Sequence, residues 1–202
     1  MLLSVNPSCG GSGRAIDSYS GSVQVETALK SSSTVLVGCF GGDVWIKVRG
    51  KATLQVSSSL KKFVQTKLRE GVERVLVDLE DCEAMDSTFM GTLAGIALQL
   101  RERGRKGLEV VRANHRNTAL LQNLGLDQLF SVKSVGDPSA PELPGPVSLR
   151  NEAPPSLTGE GMKNTVLEAH EALVEADEEN AFRFRDVLEV LRQENHSGDF
   201  RN

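Results

Sequence analysis

Cysteine, histidine and aromatic side chains are scarce in this sequence, and each shortage excludes a class of chemistry. Three cysteines among 202 residues, Cys9, Cys39 and Cys82, are odd in number, far apart and never in a Cys-x-x-Cys pair. That argues against a disulfide framework and a zinc site, and a reducing cytoplasm is the compartment expected. His115, His170 and His196 are the three histidines. They are scattered, lack the i, i+4 pairing of a metal-binding helix, and read as solvated surface residues. Lysine and arginine total 23 against 27 acids, a net charge of −4, and no segment packs bases among aromatics. The counterion-releasing surface that a nucleic acid requires is missing, so direct nucleic-acid binding is not expected. No run of roughly 18 apolar residues occurs, so no membrane span is expected. Met1 to Cys9 has few apolar residues, no preceding basic stretch and an internal Asn6-Pro7, which makes a poor secretion signal.

What is present falls into four parts. Residues 1–33 are rich in Ser and Gly, with too little apolar mass to offset the entropy of ordering, and read as a disordered arm. The glycines at 10, 11 and 13 do not follow an apolar strand and lead to no Gly-Lys-Ser/Thr, so a phosphate loop is not assigned. Residues 34–135 carry strand and helix patterns and form the expected domain, whose core should fold without the rest. Residues 136–162, punctuated by Pro138, Pro141, Pro144, Pro146, Pro154 and Pro155, read as a linker without ladders or helices. Residues 163–202 read as an acidic amphipathic helix and tail, with Val166, Leu173, Phe184, Val187, Leu188 and Leu191 near helical spacing. That tail carries ten acids and five bases, whereas 34–135 carries eleven acids and fifteen bases. The tail helix is therefore free to dock on its own domain, or to self-associate through 163–194.

Within the domain, Val35 to Phe40 and Val44 to Val48 flank Gly41-Gly42-Asp43, the pattern of a β-hairpin. Ser57 to Ser59 offer N-caps to a helix bearing Leu60, Phe63, Val64 and Leu68, closed by Gly71. Val75-Leu76-Val77-Asp78-Leu79 is a short buried strand, and 81–86 the loop that follows. A second helix puts Phe89, Leu93, Ile96, Ala97 and Leu100 on one face, Leu108 to Val111 is the next strand, and Asn117 to Leu124 the next helix. Alternation of this kind gives an α/β fold: a mixed sheet of about four or five strands packed with helices, plus the C-terminal amphipathic helix.

The stretch with most chemical content is Met85-Asp86-Ser87-Thr88-Phe89-Met90-Gly91. It sets a hydroxyl at the mouth of a helix, where unpaired N–H groups and a partial positive charge accept an anionic group with little rearrangement. Asp86 or Ser87 can equally serve simply as the N-cap, the more common role of such residues. Asp78, Asp81, Glu83 and Asp86 form an acidic group that could hold a hard cation. They read instead as strand, loop and cap residues, and no metal or cofactor is assigned.

The order hairpin, helix, strand, Asp-Ser-Thr-x-x-Gly at a helix start, strand and helix resembles the STAS family of anti-sigma factor antagonists. That family's signature runs approximately Asp-Ser-Ser-Gly-x-Gly. Val48 to Gly50 after the second strand, and Asn123-Leu124-Gly125-Leu126-Asp127-Gln128-Leu129-Phe130, are similar to further family segments. The resemblance implies a binding protein rather than an enzyme. Its partner would be an anti-sigma factor with serine kinase activity: binding it would free a sigma factor, phosphorylation of Ser87 would switch that binding off, and a protein phosphatase would reset the site. Asp86, Ser87, Thr88, Phe89, Lys51 and Thr53 are the partner-binding residues it nominates, with Thr88 the rival phosphate acceptor. Two departures stand out: Phe89 replaces a signature glycine, and Lys51-Ala52-Thr53 stands where the family often has an acid. Phe89 lies on the apolar face with Leu93, which favours the core over the partner surface. The alternatives are a STAS module without a switch, binding a ligand or acting as a scaffold, and a metal-dependent phosphoryl-transfer enzyme built on the acidic group.

Overall fold

Two consecutive glycines with positive φ, Gly41 (59°) and Gly42 (88°), turn the chain back on itself and start the sheet. Only glycine enters that region at both central positions without strain, which gives the two-residue turn whose twist matches its strands. The structure is a computed structural model that describes residues 33–142, 150–151 and 159–198. The Ser/Gly-rich arm expected over 1–33 lies outside them, apart from Ser33.

Strands β1 (Thr34–Phe40) and β2 (Asp43–Ala52) pair antiparallel around that turn, with Phe40 opposite Asp43. Helix α1 (Leu54–Arg69) leads to β3 (Arg74–Asp78), which lies parallel to β2. β4 (Cys82–Met85) pairs with the far end of β2, past a register shift between Gly50 and Lys51. Helix α2 (Ser87–Glu102) leads to β5 (Gly107–Ala113), parallel to β3. Helix α3 (His115–Asn123) and a 3₁₀ turn (Leu126–Gln128) lead to β6 (Ser131–Ser134), parallel to β5. The two-residue β7 (Arg150–Asn151) closes the other edge against Leu36 and Val37 of β1. The sheet is thus mixed, in the order β6-β5-β3-β2-β1-β7, with β4 branching from β2.

Side chains alternate across the sheet. Val44, Ile46, Val48, Val75, Val77, Leu108 and Val110 enter one core together with α1, α2 and α3. On the other face Trp45, Leu76 and Val111 form a separate small cluster. Helix α1 meets the core with Val56, Leu60, Val64 and Leu68, a single line of four-residue steps. Helix α2 is buried from Thr88 through Ala94, the mark of a helix covered on more than one side.

The second cover is the tail, and here several expectations are corrected. Residues 136–162 are not a featureless linker: β7 forms within them, and helix α4 (Gly159–Ala176) begins before they end. The tail holds two helices, α4 and α5 (Glu179–Gly198), because Asp177 ends the first and caps the second, its Oδ1 accepting from Glu179 N at 2.9 Å. Nor is the core independent of the tail. Leu173 is fully buried in the same cluster as the sheet, and α4 packs chiefly against α2. Buried Asn180 donates to the carbonyls of Leu124 (3.0 Å) and Leu173 (2.9 Å), tying the α4–α5 junction to the end of α3. Docking in cis therefore uses the apolar face of α4, and most of the exposed large apolar residues of the two helices, Phe182, Val187 and Val190, lie on α5, with Met162 near the start of α4.

Three smaller corrections concern local chemistry. Thr53, not a serine, precedes α1, and Ser57 and Ser59 lie inside it, their hydroxyls donating to the carbonyls of Thr53 (3.0 Å) and Gln55 (3.2 Å). Such back-bonding satisfies a hydroxyl inside a helix. The 81–86 loop contains β4, which needs no alternating pattern because it only extends β2. Finally, β6 follows Phe130, adding a strand to the expected four or five.

Candidate functional site

Ser87 is the first residue of α2, and the backbone around it is fixed from both sides. Asp86 is the N-cap: its Oδ1 accepts from Phe89 N at 2.8 Å, and its own N–H donates to the Ala52 carbonyl at 3.1 Å. The second bond ties the helix mouth to the end of β2, where Lys51 is exposed. Lys51, Asp86 and half-buried Ser87 therefore share one rim of the domain. Thr53 is half-buried at the head of α1.

Thr88 and Phe89 do not belong to that rim. Phe89 is fully buried in the core and Thr88 is 7% exposed, so both leave the set of partner-facing residues. The reason is helical geometry: each residue after Ser87 is turned by about 100°, which takes Thr88 and Phe89 away from solvent and Phe89 into the core. Thr88 is a poor rival for phosphate on the same ground.

The residue that sequence reasoning missed is His170. Far from being solvated, it is 4% exposed on α4, with its Nε2 3.0 Å from Ser87 Oγ. Its Nδ1–H donates to the Val166 carbonyl at 2.8 Å, and in the neutral ring of that tautomer Nε2 accepts the serine hydroxyl proton. The Phe184 ring meets the imidazole edge-on, 4.9 Å between centroids at 68°. A signal existed: His170 is four residues after Val166 and three before Leu173, on the tail's apolar stripe. His115, by contrast, is exposed at the start of α3, and the side chain of His196 lies outside the described residues.

Next to this contact α4 crosses α2 at its small residues. A Cβ on Gly91 would run into the Ala169 backbone, whereas one on Gly95 would meet Ala172 Cβ at 3.6 Å. Lys61 of α1 pairs with Glu168 of α4 at the groove's edge. Burial holds the Lys61 ammonium below its usual range.

Of the acidic residues considered for a cation, Asp78, Asp81 and Asp86 are otherwise engaged, and Glu83 is exposed on β4. Asp78, 1% exposed, receives Arg112 Nη2 at 2.5 Å and Nε at 3.2 Å, and Lys47 lies 3.5 Å away. Asp81 takes Lys47 at 3.0 Å and Arg49 at 3.3 Å. The hydrogen bond from Lys47, outweighing desolvation, holds the Asp81 carboxyl below its ordinary range. Burial pulls Lys47 down, but its hydrogen bonds to Glu80 and Asp81 and the charge of Asp78 prevail and raise it. Arg112 is raised chiefly by its hydrogen bonds to Asp78. Among the described residues no group of three or more acids, histidines or cysteines is arranged to hold a metal, and no helix is long and apolar enough to cross a membrane.

Residues 40–132 match a family model described as "Mlab, STAS domain". No curated protein matches the chain. Among solved structures the chain is similar to an anti-sigma factor antagonist from Mycobacterium paratuberculosis: 22% identity, TM-score 0.45, covering 55% of this chain and 93% of that one. It is also similar to the anti-sigma factor antagonist SpoIIAA in its unphosphorylated form, at 17% identity and TM-score 0.44, covering 49% and 86% of the respective chains. The Bacillus cell fate determinant SpoIIAA in its phosphorylated form gives 16% identity and TM-score 0.42, covering 49% and 89%.

Proposed function

The chain carries a STAS domain over residues 40–132, and on that premise we propose that it is an anti-sigma factor antagonist switched by phosphorylation of Ser87. It acts in the cytoplasm by binding rather than by catalysis. Its partner is an anti-sigma factor that is also a serine kinase; occupying that partner frees a sigma factor, and a protein phosphatase restores the binding form. The observation that carries the reading is the position of Ser87: first in α2, half-buried, and next to the Asp86 that is tied to the end of β2.

The physics of the switch follows from that position. Phosphoserine adds about −1.5 to −2 charges at neutral pH. The first turn of a helix tolerates them, because its N–H groups have no partner within the helix and the dipole is positive there. The partner surface has no such compensation. Desolvating an unpaired charge there costs several kcal/mol, and each 1.4 kcal/mol is about tenfold in affinity. Binding falls by orders of magnitude while the fold persists.

Incubating the full chain with the anti-sigma kinase of its own cell and ATP, followed by phosphopeptide mapping, tests this. Phosphate is expected on Ser87, and Ser87→Ala is expected to keep the partner bound in the presence of ATP. Phosphate on another residue, or none despite tight binding, overturns it. The second reading, a STAS module without a switch that binds a ligand or acts as a scaffold, is favoured by one observation: the Ser87 hydroxyl is already engaged by His170.

A further inference from the structure

We propose that α4 is an internal latch seated on α2 across Gly91 and Gly95, and that a phosphoryl group on Ser87 opens it. The proposal rests on the reading of Ser87 as the phosphorylated residue, but concerns what the phosphate does within this chain.

The occupant of the α2 groove is α4 itself. Gly91 removes the side chain that would collide with the Ala169 backbone, and Ala172 rests opposite Gly95. Leu173 is sealed into the core, and Glu168 pairs with Lys61 at the edge. Small residues four apart allow two helices to approach closely, and nothing larger at Gly91 would permit this seating. Ser87 and His170 join the two helices at the α2 N-terminus.

That join has no room for a phosphate. A 3.0 Å separation between Oγ and Nε2 accommodates one shared proton. Withdrawal of the imidazole along α4 is opposed by the hydrogen bond from its Nδ1–H to the Val166 carbonyl and by the Phe184 ring against it. In the transfer itself, Ser87 Oγ forms a bond to the γ-phosphorus of ATP, the bond to the ADP oxygen breaks, and the hydroxyl proton passes to a base. The proton shared with His170 is then gone. The modified side chain either turns to solvent or displaces α4, and in both cases the Ser87–His170 bond is lost. A buried ring nitrogen is left without its partner, which shifts the equilibrium toward undocking by about tenfold or more. Undocking bares the Gly91–Gly95 groove, so the phosphorylated chain presents a helix-sized surface that the unmodified chain covers.

The test needs no kinase. Phosphoserine is incorporated at position 87 during synthesis of the full chain, and hydrogen exchange is compared with the unmodified protein. Exchange across 159–176 is expected to accelerate about tenfold or more, with β3 and β5 unchanged. Gly91→Ala, which unseats α4 without adding charge, is expected to give the same pattern. Ser87→Ala, which leaves the same ring nitrogen without its partner, is expected to accelerate exchange across 159–176 to a similar extent and serves if Gly91→Ala does not fold. Unchanged or slower exchange of α4 in the phosphoserine protein overturns the latch. A kinase that ignores Ser87 would overturn the proposed function instead, and would leave this result as it stands.

Discussion

Gly91 and Ala169 meet backbone to backbone: a Cβ placed on Gly91 would lie 2.6 Å from the Ala169 carbonyl carbon. Backbone cannot swing aside as a side chain does. Gly91→Ala is therefore expected to lower the melting temperature, although alanine favours a helix interior over glycine by about 1 kcal/mol. Gly95→Ala, where the added methyl meets Ala172 in ordinary contact, is expected to leave stability unchanged or raise it. Thermal melts of the two variants against the parent separate a packing requirement from helix propensity.

Leu173 reports how far the tail belongs to the core. It is 0% exposed although it lies on α4, beyond the proline-rich stretch. Leu173→Ala is expected to cost about 2–5 kcal/mol in urea unfolding, while Val190→Ala on the exposed face of α5 should cost almost nothing.

Asp78 and Arg112 carry the other face of the sheet. Asp78→Asn leaves the Arg112 guanidinium, tied by two hydrogen bonds, facing a neutral amide in a mostly buried setting. A loss of about 3 kcal/mol is expected. Arg112 itself sits at φ 53°, a left-handed conformation uncommon for a residue with a side chain. Arg112→Gly relieves the backbone but leaves the buried Asp78 carboxylate with Lys47 alone beside it, and is expected to cost at least as much as Asp78→Asn; urea titrations of both check the order.

Asp81 gives the acid limb of stability a defined sign. Its carboxyl is held below the ordinary 3.8 by Lys47, so its contribution is present above that value and disappears as the pH falls through the lower, folded one. With the side chain 43% exposed the effect is modest. Asp81→Asn is expected to flatten the dependence of the denaturation midpoint on pH below about 4, with little change in slope at pH 6.

Cys82 and Cys39 differ in the same way. Burial pushes the Cys82 thiol up, so little thiolate forms near neutral pH, whereas Cys39 is only half-buried. Of these two, iodoacetamide is expected to modify Cys39 before Cys82, and Cys82 only on unfolding, read by peptide mass spectrometry.

The hairpin, the run Val75 to Leu79 and the Asp86-Ser87 helix start were legible in the sequence because each is specified locally, by glycines, by unbroken β-branched residues and by a capping carboxylate. What was not legible depended on distant partners. Cys82 to Met85 has no strand pattern and is extended only because the end of β2 lies beside it. Arg150 and Asn151 pair because the edge of β1 is open to them. His170 has the polarity of a surface residue, and only the crossing of α4 over Ser87 gives its ring a reason to be buried. Phe89 was readable both ways, and the face it shares with Leu93 decided for the core.

The lone tryptophan provides the molecule with its own spectroscopic control. Trp45 is packed with Leu76 and Val111 on the face of the sheet opposite the helices, so the sheet stands between it and the groove that α4 fills. Its emission should therefore follow cooperative loss of the sheet and stay silent when the tail alone lifts away. A fluorophore placed on α4 and the native indole would report two events in one cuvette, distinguishing a protein that has opened from one that has unfolded.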